Sequence, residues 1–313
     1  MAKTCTQPKI ASHLSSPYKM RDYFCTVTCA LVYESLMRLL LQPSHTCDNA
    51  GMKQSITKFP ELNNILRAFV DGIRPILDDN LVGVYLQGSF AVGAGDEHSD
   101  CDIVIVIREP LSAETKTQLT TVHKDLYEYP GYWSKHLEGS YFPADQLRRW
   151  TPNQPLLTYF DNGSTDFELS DHDNSYIVRW TLREHGITLY GPPIRELVDE
   201  VSAEALKQEV RQFMAEWETY LEANPDCYTN RWCQAYAVVS HCRMLRSLQT
   251  GRVHSKAEAA QWGIDHLDPQ WADLIKRAQA NRVGQYLSIR KLNHPEDTAR
   301  TPAFLHYMRQ LAQ

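Results

Sequence analysis

The sequence predicts two consecutive regions of different class: an α/β (α+β) region with a small mixed sheet, followed by an all-α helical bundle. Short apolar runs rich in β-forming residues, at 81–87 and 102–108, are typical of buried central strands. These runs alternate with segments of helical period, whereas no comparable strand signal follows Pro193. The change of secondary-structure type is therefore expected near residue 198.

Each element follows from hydrophobic period and turn residues. Apolar residues recur at helical spacing over 59–77, which predicts an amphipathic helix. Gly88 ends the first strand, and the almost unbroken Ile/Val run over 102–108 predicts a second, buried strand. The other predicted elements of the first region are helices at 113–129 and 174–185 and strands at 137–142 and 187–190; those of the second are helices at 203–221, 232–248, 256–262 and 271–280.

The same pattern divides the chain into three segments. Residues 52–198 carry the sheet, residues 199–313 form the helical C-terminal domain, and residues 1–51 form an extension that is either an accessory helical segment or lies upstream of a true start at Met52. The apolar stretch 23–41 contains Glu34 and Arg38, each of which costs about 2.5 to 3.5 kcal/mol at the centre of a bilayer. We therefore expect an additional helix there and no contact with a membrane.

Composition narrows the class of function. The formal net charge is -6 and the pI is about 6.1, so the chain lacks the basic excess that grips a nucleic-acid backbone. The cysteines are scattered, with no CxxC pair and no histidines at zinc spacing, so we interpret them as free thiols in a reducing, cytoplasmic compartment. They are Cys5, Cys25, Cys29, Cys47, Cys101, Cys227, Cys233 and Cys242.

A pair of acids opens the second strand. Side chains alternate along a strand, so Asp100 and Asp102 project from one face while Cys101 points away. Two carboxylates that converge are costly unless a cation lies between them, and magnesium accepts one or two protein carboxylates together with water and phosphate oxygens. Glu138, on the strand predicted at 137–142, supplies a third carboxylate that acts either as a metal ligand or as a general base.

The turn before this strand suits phosphate. Gly88 lets the backbone approach a triphosphate closely, and Ser89 offers an N–H and a hydroxyl where a helix is expected to begin. Alone, the Gly-Ser pair is more often an ordinary turn and the Asp pair is as often a solvated strand end. Together, at a fixed interval between hydrophobic strands, they favour a functional site.

The segment from Gln87 to Phe90, followed by Ser99 to Ile103, resembles the signature of the DNA polymerase β-like nucleotidyltransferase superfamily. A second resemblance lies downstream and is to the helical domain of aminoglycoside 3''-adenylyltransferases, which modify streptomycin and spectinomycin. It rests on Arg243, Gly251, Ser255-Lys256, Ala259-Ala260 and Trp262, so that the similarity spans residues 52–313.

The resemblance implies a nucleotidyltransferase that moves AMP from ATP to a hydroxyl of a small molecule, with an aminoglycoside-like antibiotic as one candidate acceptor. It implies Asp100 and Asp102 as ligands of magnesium, two ions being expected, and it places Glu138 near the catalytic base of those enzymes, so that Glu138 is the candidate base. The nucleotide-binding positions that it implies are Gly88, Ser89, Ser99, Arg243 and Lys256.

One departure from the resemblance concerns the acceptor. In the antibiotic-modifying enzymes an acid precedes the matched arginine by about three helical turns, and here that stretch reads Asn230-Arg231-Trp232-Cys233. Asp226 lies nearby and is a possible substitute, but an arginine beside the pocket repels a polycationic drug. The reaction is therefore expected and the drug is left open.

Alternatives of other classes stay open at this stage. One is an adenylyltransferase that modifies a protein, and another is a nucleotide-binding regulator without turnover. The expected partners are ATP and a small hydroxylated acceptor, and the chain is expected to be a monomer or a weak oligomer. The polar cluster around His172 and Arg179 is interpreted as structural, with Asp173 or Asn174 as a helix N-cap.

Overall fold

The computed structural model describes residues 55–282 and 291–313. The expected extension at 1–51, with its apolar stretch at 23–41, lies outside the described residues. Within the described ranges, none of the helices combines the length and the apolar character that crossing a membrane requires.

A six-stranded mixed sheet forms the first region and confirms the predicted fold class. Its strand order is β5-β4-β3-β2-β1-β6, in which β2 and β3 are parallel and the other neighbours are antiparallel. The strands are β1 (Leu81–Leu86), β2 (Cys101–Ile107), β3 (Leu137–Pro143), β4 (Leu157–Phe160), β5 (Glu168–Ser170) and β6 (Ile187–Tyr190).

The described helices divide between the two regions. Those of the sheet region are α1 (Pro60–Leu77), α2 (Gly88–Ala91), α3 (Ala113–Tyr127), α4 (Ala144–Arg148) and α5 (Tyr176–His185). Those that follow are α6 (Ala203–Ala223), α7 (Asp226–Thr229), α8 (Arg231–Thr250), α9 (Lys256–His266), α10 (Ala272–Asn281) and α11 (Pro295–Leu311).

Strand β2 explains why the sheet is covered on both faces. Its residues Ile103 and Ile105 belong to a core that includes Phe69 of α1, whereas Val104 and Val106 belong to a separate core on the other side. All four are fully buried. A central strand buried on both faces reads as a continuous apolar run, which is the pattern that predicted it.

Helix α8 is the centre of the second region. It packs against α6, α9, α10 and α11, and most of its residues are buried. It ends at Gly251, whose φ of 68° places it in the left-handed conformation that closes many helices.

Most of the predicted elements are found, and the sequence predictions lack the short strands β4 and β5 and the helix α11. Strands β4 and β5 were not predicted because four and three residues are too few to show a period. Helix α11 was not predicted because Pro295 and Pro302 interrupt its pattern; Pro295 is tolerated since it occupies the first turn.

The cysteine interpretation is wrong for one pair. Cys227 of α7 and Cys233 of α8 form a disulfide with a Cα–Cα distance of 5.2 Å. Cys101 and Cys242 are buried free thiols, as expected. Disulfide partners six residues apart give no sequence signal, because only the turn between α7 and α8 brings them together.

Arg179 of α5 fixes one side of the sheet. It is 1% exposed, and its guanidinium donates to the backbone oxygens of Leu147, Ser175 and Gln146 at 2.7 to 3.1 Å. It also donates to Asn174 Oδ1 at 2.8 Å. Arg179 therefore has a structural role, and the N-cap of α5 is Ser175 rather than Asp173 or Asn174.

Glu209 of α6 joins the helical region to the sheet region. Its carboxylate oxygens each accept a hydrogen bond of 2.8 Å, one from Tyr176 N and one from Ile177 N, at the start of α5. A carboxylate at a helix N-terminus accepts hydrogen bonds from otherwise unpaired N–H groups, and its negative charge is attracted to the positive end of the helix dipole. The contact therefore ties the first turn of α5 to α6.

We expect Arg179→Met to lower the free energy of unfolding by about 3 kcal/mol or more, because several buried carbonyl oxygens lose their donor at once. The measurement is urea unfolding followed by circular dichroism. Arg252→Met, at an exposed position, is the matched control and should change the midpoint little. Equal midpoints for the two variants would show that Arg179 does not stabilise the sheet.

Candidate active site

Gly88 makes room for a carboxylate. It is the first residue of α2, its φ is +62°, and a Cβ at this position would lie 1.9 Å from Asp102 Oδ2. The backbone joins the two segments as well, since Gln87 N donates to the carbonyl oxygen of Asp102 at 2.9 Å. The glycine is therefore required both by its backbone conformation and by the space that Asp102 occupies.

Three acids form a row across neighbouring strands. Asp102 of β2 pairs in register with Glu138 of β3, and their carboxyl groups are hydrogen-bonded to each other. Gly139 of β3 pairs with Phe160 of β4, so that Asp161 follows next to Glu138. Asp100, just before β2, lies close enough for its charge to interact with Asp102 and Asp161.

Burial and mutual repulsion act on these carboxyl groups. Burial, followed by the charge of Asp102, raises the pKa of Asp100 to about 7. The pKa of Glu138 is raised well above its usual value, first by burial and then by the charges of Asp102 and Asp100. Glu138 can therefore act as a base only where positive charge compensates the negative charges of Asp102 and Asp100.

The two predicted phosphate-binding serines differ. Ser89 Oγ is buried and has no hydrogen-bond partner among the described residues. Ser99 Oγ is already engaged, because it accepts from Asp96 N and donates to Asp96 Oδ1, both at 3.0 Å. The Ser89 hydroxyl is therefore without a partner in the described part of the chain, whereas Ser99 shapes the loop before β2.

The helical region brings cations to the same place. Lys256 opens α9, and its charge interacts with those of Asp102 and Asp100 as well as with Arg243 of α8. Burial and the neighbouring arginines Arg282 and Arg243 lower the pKa of Lys256 to about 7. The predicted residues Lys256 and Arg243 thus lie near the predicted acids, although the two groups are far apart in sequence.

Sequence reasoning missed Arg282, His136 and Asp161. Arg282 interacts electrostatically with Asp100 and Arg243. His136 Nδ1 lies 2.9 Å from Asn162 Oδ1 and 3.8 Å from Asp100 Oδ1. His136 had a weak signal, since it directly precedes β3, whereas Asp161 could not be found without the pairing of β3 with β4.

Asp173 holds residues on both sides of the strand that carries Asp102. It is 2% exposed and accepts hydrogen bonds from Ser140 Oγ at 2.6 Å and from Gln87 Nε2 at 3.2 Å. Burial raises its pKa, and the charge of Asp102 adds to the effect. Gln87 and Ser140 belong to the β1 end and to β3, so Asp173 links the two strands that flank β2.

The acids fit a hard divalent cation such as magnesium. Asp100 Oδ1 is a buried oxygen without a hydrogen-bond partner among the described residues, and it lies beside a second carboxylate whose charge opposes it. Oxygen donors of this kind are the ligands that magnesium accepts. In the described part of the chain, no group of three or more His, Cys, Asp or Glu side chains is arranged to hold a metal ion.

The segment where an acid was expected forms the start of α8. Asn230 is its N-cap, with Oδ1 accepting from Cys233 N at 2.9 Å, and Arg231 is its first residue. Asp226, the possible substitute, begins α7 and is exposed. A carboxylate that does lie next to Glu138 is that of Asp161, whose charge interacts with that of Glu138.

The chain is similar to known adenylyltransferases along most of its length. The model of the aminoglycoside adenylyltransferase C-terminal domain matches residues 196–310. The aminoglycoside (3'')(9) adenylyltransferase of Shigella flexneri is 25% identical over 242 residues, which cover 72% of this chain and 87% of that protein. The spectinomycin 9-adenylyltransferase of Staphylococcus aureus is 22% identical over 223 residues, which cover 68% of this chain and 82% of that protein.

A solved structure shares the fold. It is that of the spectinomycin adenyltransferase AAD(9) from Enterococcus faecialis, determined with ATP and spectinomycin. The TM-score is 0.55 at 16% identity, and the match covers 80% of this chain and 98% of that one. Residues 196–310 thus match the C-terminal domain of aminoglycoside adenylyltransferases, and the chain is similar to these enzymes at about 25% identity.

Proposed function

We propose that this chain is a magnesium-dependent adenylyltransferase that moves AMP from ATP onto a hydroxyl of a small molecule. One observation carries the proposal: the carboxylates of Asp100 and Asp102 face the cations Lys256 and Arg282, which come from the helical region. A nucleoside triphosphate with its metal needs both kinds of group, since the acids hold the metal and the cations balance the phosphates.

The charges near Asp100 differ in sign from those near Glu138, and this difference supports a placement of the two substrates. Lys256 and Arg282 act on Asp100, whereas the charges that act on Glu138 are those of the acids Asp102, Asp100 and Asp161. Phosphate is stabilised on the cationic side. The triphosphate therefore lies toward Lys256, and the acceptor hydroxyl enters beside Glu138.

The reaction is an in-line displacement. Glu138 takes the proton of the acceptor hydroxyl, the freed oxygen attacks the α-phosphorus of ATP, and the bond to the departing pyrophosphate breaks. Lys256, Arg243 and Arg282 balance the negative charge that builds on the leaving group. Magnesium, two ions by expectation, would be held by Asp100 and Asp102 and would neutralise charge on the entering and leaving oxygens.

The acceptor is a small hydroxylated molecule, and aminoglycoside-like antibiotics are the first candidates because relatives are named for them. The start of α8 argues against simple transfer of their specificity, since Arg231 stands where an acid was expected. Asp161 is the group that could replace this acid, given its place next to Glu138.

We expect Asp102→Asn to lower the rate of pyrophosphate release by at least about a hundredfold, because a carboxylate that would hold magnesium is replaced by a neutral amide. The assay measures pyrophosphate released from Mg-ATP in the presence of an acceptor. Asp125→Asn, an exposed position on α3, is the matched control and should keep the rate of the wild type. Full activity of Asp102→Asn would exclude this mechanism.

An acceptor panel tests the substrate class. Streptomycin, spectinomycin and small hydroxylated metabolites are each added to Mg-ATP and the wild-type protein. We expect release with at least one small acceptor. Label from ATP that appears only on a protein band would favour the protein-modifying alternative, and Mg-ATP binding without release for any acceptor would favour a regulator.

We expect the affinity for Mg-ATP to fall as the pH rises above 7, because the ammonium of Lys256 loses its proton as the pH rises through its lowered pKa of about 7. The groups that set this pKa are Arg282 and Arg243, which lower it, and Asp102 and Asp100, which raise it. Calorimetric titration between pH 6 and 9 measures the effect. Lys256→Arg, whose charge is permanent, should flatten the profile; a slope unchanged by this variant would assign the dependence to another group.

A further inference from the structure

Lys256 is held in an unfavourable place for a cation. It is the first residue of α9, directly after the N-cap Ser255, where the helix dipole opposes positive charge. The positive charges of Arg282 and Arg243 also act on it. Before a phosphate arrives, the attraction of Asp102 and Asp100 has to be supplemented if the side chain is to stay extended toward the site.

An aromatic ring supplies that supplement. The ammonium nitrogen of Lys256 lies 4.9 Å from the centroid of the Tyr236 ring. An ammonium over the face of an aromatic ring within about 6 Å is attracted by the ring quadrupole. Tyr236 also lies close to Arg282, the other cation on this side of the site. One side chain of α8 thus contacts one cation and lies near the second.

The ring is itself fixed by its neighbours. Trp232, one turn earlier on α8, stacks on Tyr236 with 5.2 Å between centroids and 26° between planes. Trp217 of α6 approaches the same ring at 5.5 Å and 34°. Because aromatic pairs of this geometry hold one another, the ring under Lys256 is anchored to both α6 and α8.

We propose that Tyr236 is a positioning residue for ATP, whose ring, anchored by Trp217 and Trp232, holds the ammonium of Lys256 in place for the phosphates. The inference rests on the proposed function in one respect, namely that Lys256 contacts the nucleotide. Tyr236 acts through Lys256, so its contribution is to the affinity for ATP and not to the proton transfer at Glu138.

The physical benefit is preorganisation. A free lysine side chain loses rotamer entropy of up to about 2 kcal/mol when a ligand immobilises it. The ring restricts Lys256 before ATP binds, so that less is lost at that moment. The ring face also offsets the repulsion from Arg282 without placing a carboxylate there, which would compete with the phosphates for the ammonium.

A double-mutant cycle on Mg-ATP binding tests the inference by calorimetry, without need of an acceptor. Tyr236→Leu should raise the Kd for Mg-ATP about tenfold. Tyr236→Phe keeps the ring, and its Kd should stay within about twofold of that of the wild type. In a Lys256→Met background, Tyr236→Leu should cause no further loss. If Tyr236→Leu does not fold by circular dichroism, Tyr236→Met replaces it.

The outcomes are distinct. Additive effects of the two substitutions, or a loss in Tyr236→Phe equal to that in Tyr236→Leu, would overturn the positioning role, because the ring would not be acting through Lys256. An unchanged Kd in Lys256→Met would overturn it as well. Failure of the proposed transfer reaction shows separately, as absence of pyrophosphate release from a protein that still binds Mg-ATP.

Discussion

The repulsion among the carboxylates at the start of the neighbouring strands β2 and β3 is the constraint on which the rest of the site depends. Asp102 and Glu138 are held side by side by the parallel pairing of β2 with β3, and Asp100 lies next to them. Burial prevents water from screening the charges fully, so the pKa of Glu138 is raised well above its usual value. Such an arrangement is stable only as a site for a cation, or with protons bound.

Several features of the fold make room for these carboxylates, hold them in place or compensate their charge. Gly88 leaves the space that Asp102 fills, and Asp173 fixes Gln87 and Ser140 on either side of β2. The helical region then contributes Lys256 and its neighbouring arginines, whose charges oppose those of the acids. Because the cations come from a different region of the chain, the site is complete only when the two regions pack together.

The packing of the two regions therefore bears on function as well as on stability. Glu209 of α6 accepts hydrogen bonds from the first turn of α5, and α6 also carries Trp217, which contacts Tyr236. One helix thus connects the sheet region to the aromatic ring beside Lys256. The start of α8, where the resemblance implies an acid, carries instead the disulfide between Cys227 and Cys233.

The sequence by itself determined the long elements and the acids of β2, because period and alternation are local properties of the chain. It also indicated Glu138, since a strand was predicted at 137–142 and β3 occupies Leu137–Pro143. Only the tertiary structure decided the remainder. Asp161 joins the row through the pairing of β4 with β3, and Arg282 and Tyr236 join through helix packing. Contacts between residues distant in sequence depend on register and packing, and neither leaves a local pattern in the chain.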